Sequence, residues 1–349
     1  MGMVRAGRHT LGRRAPGKAA HEPACRGTGR GPRWLAYRLA AALVLLALCG
    51  VWGGTAGARH SAAAAPNAAY TINDPDAFIY VPANAAARQP LQVLVALHGM
   101  GNTGPVFCHD LLAEAGRNGW VVLAPTFTYG DNMTPGGVLR DDTTFLPRLA
   151  TMLDTLPARI GYQTRPKVLL YGHSRGGQEV HRFATFYPDR VLGAAVFAAG
   201  TYTLPLRSMQ VDGQARPLPF PFGVSDIKTY DGHEFDAAAF ARIPFWIGVG
   251  GLDDNAKDAP RAWDPYVGAT RLERARRYAR ALQQQGLHAS LSVYPTAGHG
   301  ITPAMREDAL AFLEGVAQRD TPPAAPLRTG PLGGDLAAAL PADAAPRER

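Results

Sequence analysis

Residues 172–176 read Gly-His-Ser-Arg-Gly. A serine hydroxyl is a weak nucleophile at neutral pH. It becomes useful when the backbone lifts it clear of its neighbours and a base stands within hydrogen-bonding reach. The G-x-S-x-G spacing meets the first condition, because glycines on both sides permit a sharp strand-to-helix turn in which larger side chains would clash. The second condition points to His299, set between Gly298 and Gly300, with Thr302-Pro303 behind it as the cap and first turn of a final helix. An imidazole base in turn needs a carboxylate to hold its tautomer. The run "FWIGVGGLDD" leaves an apolar stretch through two glycines. Asp253 is the favoured acid from its Gly250-x-x-Asp253 spacing, and Asp254, equally spaced from Gly251, is the alternative.

Attack on a carbonyl also needs donors for the oxyanion. "VALHGMGNTG", ending at Gly104, is placed to supply one. The expected pair is the backbone N–H of Met100 and that of Arg175, the residue after the nucleophile, with both side chains of little consequence. His98 is expected to brace this loop rather than move protons.

These residues need a frame. Short apolar runs alternate with longer amphipathic ones after the Ala-rich stretch at 61–69, the pattern of a parallel sheet with crossover helices. The reading predicts strands at 78–81, 91–97, 120–124, 167–171, 194–198, 245–249 and 290–294. It predicts helices near 105–117, 142–159, 175–187, 268–285 and 303–318. "VLVAL" and "FWIGV" are apolar at every position, which suits strands covered on both faces. The alternation breaks over 204–242, where Pro and aromatics lack a clear period. This stretch reads as an insertion, either lid-like or an ordinary packed excursion. Tyr129 and, within the insertion, Phe220, Phe222 and Tyr230 are candidates for a substrate pocket or, equally, for packing.

The chain of 349 residues is 46% hydrophobic, enough for a substantial core, and carries a formal charge of +8. The charge is concentrated at one end. Residues 1–59 hold ten Lys or Arg against Glu22 alone, which leaves 26 basic and 27 acidic residues in 60–349. The body therefore lacks the electrostatics of a nucleic-acid binder. The uncharged stretch Leu39–Ala58 follows Arg38 and closes on Ala-Gly-Ala, so 1–58 reads as a secretion signal or a retained membrane anchor. Either puts the catalytic domain outside the cytoplasm. Cys108 is the body's one cysteine and excludes an internal disulfide there. Residues 319–349, rich in Pro, Ala and Gly, read as a disordered tail. The body histidines 109, 173, 181, 233 and 288 show no metal-ligand spacing.

The order Ser174, Asp253, His299, preceded by "HGMG", resembles the α/β-hydrolase superfamily over about residues 70–318. Within it the stretch is most similar to secreted bacterial esterases of the polyhydroxybutyrate depolymerase and feruloyl esterase type. Two features depart from that type: the body has no cysteine pair, and Arg175 stands where depolymerases often show alanine or leucine near the serine. The resemblance implies an α/β fold with a mostly parallel, doubly wound sheet flanked by helices, a site at the C-terminal ends of its strands, and no cofactor or metal. The expected activity is hydrolysis of small or polymeric carboxylic esters through an acyl-enzyme. A peptidase or amidase with the same triad, and a non-catalytic binding protein on the same fold, are the alternatives.

Overall fold

The computed structural model describes residues 68–320 apart from Asp212. The leader at 1–58, most of the Ala-rich stretch and the tail beyond 320 lie outside the described residues. The strands in chain order are β1 (Tyr70–Asn73), β2 (Ala77–Val81), β3 (Val93–Leu97), β4 (Val121–Pro125), β5 (Val168–His173), β6 (Val191–Phe197), β7 (Ser208–Val211), β8 (Gln214–Pro217), β9 (Phe245–Gly250) and β10 (Ala289–Tyr294). The helices are α1 (Gly104–Cys108), α2 (Leu112–Asn118), α3 (Pro135–Ile160), α4 (Arg175–Phe186), α5 (Lys228–Asp231), α6 (Ala237–Ala241), α7 (Asp264–Val267), α8 (Arg271–Gln284) and α9 (Pro303–Asp320).

Eight strands form one sheet in the order β1-β2-β4-β3-β5-β6-β9-β10. The strands from β4 to β10 in that order run parallel, and β1 and β2 add an antiparallel margin. All seven predicted strands are present. Every residue of β3, β4 and β9 is buried, as their unbroken apolar character requires. Alternate residues feed two cores. Val93, Val95 and Leu97 pack with Leu149 of α3, Phe183 of α4 and Tyr278 of α8. Leu94 and Ala96 pack with Ala115 of α2 and Leu313 of α9 on the opposite face.

Several elements differ from the sequence reading. The edge strand β1 pairs in register with β2, Tyr70 opposite Val81, and its four residues are too short for a periodicity to show. Helix α3 begins seven residues before the predicted start. Thr134 caps it by accepting from the Gly137 N–H at 3.1 Å, and Pro135 fills a first-turn position where no donor is needed. The predicted helix at 105–117 is instead α1 and α2 with a 3₁₀ turn at 109–111 between them. The segment between β6 and β9 is a packed excursion containing the β7–β8 hairpin. It is closed on itself by bonds such as Leu204 N–H to the Phe222 carbonyl and Val224 N–H to the Leu206 carbonyl.

Register brings the strand ends level where chemistry needs them. Leu97 stands opposite Gly172, His173 opposite Phe197, and Gly250 opposite Tyr294. The loops that leave β3, β5 and β9 therefore emerge along one rim.

Candidate active site

Ser174 joins β5 to α4 with φ 55° and ψ −113°, a left-handed backbone that costs a serine on the order of 1–3 kcal/mol. The surroundings enforce it. Its N–H donates to the Phe197 carbonyl at 2.9 Å, and its carbonyl accepts from Gln178 at the start of the helix at 3.1 Å. A Cβ on Gly176 would collide with the Leu97 carbonyl, so the helix lies against the end of β3 only because that residue is glycine.

The structure brings Ser174, His299 and Asp253 together across 125 and 46 residues of sequence. His299 Nε2 lies 3.0 Å from Ser174 Oγ, and His299 Nδ1 lies 2.9 Å from Asp253 Oδ2. A carboxylate only accepts, so the Nδ1 proton faces Asp253 and Nε2 is left as the acceptor for the serine proton. Asp253 is 4% exposed, whereas Asp254 faces solvent. His299 is reachable from solvent, with 39% of its side-chain surface exposed. A hydroxyl, an acceptor nitrogen and a buried carboxylate in this order can move a proton off the serine and back again.

The loop after β3 lies against the serine. A Cβ on Gly99 would stand 3.2 Å from that of Ser174, so the residue before Met100 packs against the serine. The Arg175 N–H opens α4, where helix geometry gives it no intrahelical acceptor. His98 braces this loop. Its Nδ1 donates to the Gly99 carbonyl at 2.7 Å, and its Nε2 accepts from Phe127 N–H at 3.0 Å. Burial lowers its pKa, in keeping with this neutral tautomer.

The sequence matches the family model of the alpha/beta hydrolase family over residues 93–332. This chain belongs to the alpha/beta hydrolase family. Its structure is similar to that of poly(aspartic acid) hydrolase-1 from Sphingomonas sp. KT-1, with a TM-score of 0.53 and 20% identity over 72% of this chain and 98% of that one. It is also similar to LpqC, a poly(3-hydroxybutyrate) depolymerase from Bordetella parapertussis, with a TM-score of 0.51 and 25% identity over 72% of this chain and 93% of that one. No curated protein matches the sequence.

Two details of this alpha/beta hydrolase site correct the sequence reading. The first concerns Arg175, whose side chain was expected to be incidental. It is fully buried, paired with Asp142 and 3.0 Å from Glu179, and its guanidinium stands 5.0 Å from the centre of the Tyr129 ring. The second concerns the pocket candidates. Phe220 is buried against Phe186, the last residue of α4, and Tyr230 packs on Phe220. A twelve-residue helix is roughly 18 Å long, so both rings sit far from Ser174 and serve packing. Phe222 packs on Trp263 and Tyr266. Tyr129 turns its hydroxyl into the interior against Phe127 and Phe145.

Three neighbours of the site carried no sequence signal. His173 donates from Nε2 to the His299 carbonyl at 2.6 Å and so ties the base loop to the turn; burial lowers its pKa to about 4 and keeps it neutral. Arg271 bonds Asp253, and Asp142 pairs with Arg175. Each contact joins segments far apart in the chain, and no local spacing encodes it.

Proposed function

We propose that the protein is a serine hydrolase that cleaves carboxylic esters through an acyl-enzyme. Ser174 Oγ attacks the ester carbonyl carbon while its proton passes to His299 Nε2. The Asp253 carboxylate stabilises the resulting imidazolium, and the N–H groups of Met100 and Arg175 receive the oxyanion. The intermediate collapses, the alcohol departs with the proton from His299, and Ser174 is left acylated. A water molecule activated by the same imidazole then releases the acid and restores the serine. The observation that carries this reading is the continuous hydrogen-bonded chain from Ser174 through His299 to Asp253 at a strained, glycine-flanked turn.

An apolar substrate group is supported by the surface beside the serine. Met100 (43%), Val106 (68%), Met133 (44%) and Leu252 (62%) are the exposed large apolar side chains among the described residues. They follow β3, β4 and β9, at the rim that carries Ser174 and His299. Such a rim suits an apolar acyl or alcohol group. The choice of esters over amides is supported by the likeness, at 25% identity, to the protein named for poly(3-hydroxybutyrate), a polymer whose links are esters.

The test is labelling with a fluorophosphonate probe, followed by turnover of esters of graded acyl length and matched amides. Ser174→Ala is expected to abolish labelling and to lower kcat about 10⁴-fold or more with an unchanged urea midpoint. Retained turnover in that variant removes the mechanism, and faster cleavage of the amides removes the ester assignment.

A further inference from the structure

Asp253 has a partner that the proposed mechanism does not use. Oδ2 accepts from His299, and the other oxygen, Oδ1, accepts from the guanidinium of Arg271 at 3.2 Å. Arg271 is the first residue of α8 and is 9% exposed. Its second terminal nitrogen donates to the Asp258 carbonyl, which fixes the guanidinium between the loop that carries Asp253 and the start of the helix. The helix begins there because Thr270 and Glu273 close a reciprocal capping box, and the Leu272 N–H donates to the Asp253 carbonyl at 3.3 Å. The acid thus has its main chain against the first turn of α8 and its carboxylate between an imidazole and a guanidinium.

We infer that Arg271 is a positioning residue of this site, one that fixes the rotation of the Asp253 carboxylate so that Oδ2 faces His299 Nδ1. The inference rests on the hydrolase reading above. A carboxylate bonded through one oxygen turns about its terminal torsion, and a charge-assisted bond on the other oxygen removes that freedom. Removing that bond frees the carboxylate to turn away from the imidazole, which lowers kcat with little effect on substrate binding. The other groups around the pair leave that role to Arg271. His173, from the turn before α4, is neutral; Asp254 and Asp258 are exposed on the loop; and Arg274, one turn along α8, is directed to the carbonyls of Gly200, Pro260 and Gly268 and to Asp264.

The experiment compares kcat and KM on a short soluble ester for the parent, Arg271→Gln, Arg271→Met and Arg271→Lys, with urea midpoints for each. The neutral variants are expected to lower kcat about tenfold with KM within about twofold. Lysine, which keeps the charge and a donor for Oδ1, is expected to stay within about threefold of the parent kcat. A kcat that is unchanged in the folded neutral variants, or that falls equally in the lysine variant, overturns the inference. So does failure of both neutral variants to fold while the lysine variant retains full kcat/KM, since that assigns Arg271 to structural support. Ser174→Ala run alongside separates the two claims, because turnover surviving there defeats the hydrolase reading itself.

Discussion

At the scale of single residues, burial separates two aspartates that the sequence leaves side by side. Asp253 points inward to His299 and Arg271, while Asp254 faces water. Asp253→Asn is expected to lower kcat by about 10⁴-fold, because an amide offers the imidazole the wrong hydrogen-bonding partner for its tautomer. Asp254→Asn is expected to stay within about threefold of the parent. Steady-state kinetics on one ester decides the pair, and the reverse pattern transfers the role to Asp254. These positions were legible because glycines flank them at the ends of apolar runs. Arg271 was not, because in "RLERARRYAR" the amphipathic pattern allows several arginines and does not say which one meets a loop 18 residues earlier.

At the scale of elements, the pairing of α3 with α4 holds the elbow from behind. Asp142 of α3 is fully buried, paired with Arg175 and, at 3.2 Å, with Arg182 of α4. Burial, with Asp142 close by, holds Glu179 well above the usual carboxylate range. Asp142→Asn removes the carboxylate that meets both buried guanidinium groups and is expected to cost about 3–5 kcal/mol of stability, read as a drop in the urea midpoint. Glu179→Gln mimics the protonated acid and is expected to cost far less; equal losses in the two variants would contradict a protonated Glu179. The sequence showed α4 by its position after the motif, but it placed the start of α3 late. Pro135 and two glycines there read as a loop, whereas the Thr134 cap makes them a first turn.

At the scale of the whole molecule, the buried histidines tie stability to pH. Burial lowers the pKa of His98, of His173 to about 4, and of His181 to well below its usual range. The unfolded chain protonates these rings below about pH 6.5, while the folded chain resists. Their contribution is therefore complete above about pH 6.5 and is lost as pH falls toward about 4, at up to about 1.4 kcal/mol per pH unit for each ring. Glu179, Asp141 and Asp231, whose pKa values burial raises, oppose with the reverse sign. The fall in urea midpoint from pH 7 to pH 4.5 is therefore expected to be smaller in His181→Gln than in the parent, and an identical slope would show that this ring is not buried neutral in solution. The sequence by itself determined the fold class, the order of strands and helices along the chain, and the serine and histidine, because apolar periodicity and glycine-flanked turns are local properties. Only the tertiary structure decided which aspartate meets the imidazole, that Phe220 and Tyr230 pack far from the serine, and that Arg175, Arg271 and His173 brace the site. Those outcomes depend on strand register and helix packing, which bring distant segments within about 3 Å of one another and leave no trace in the spacing of residues along one segment.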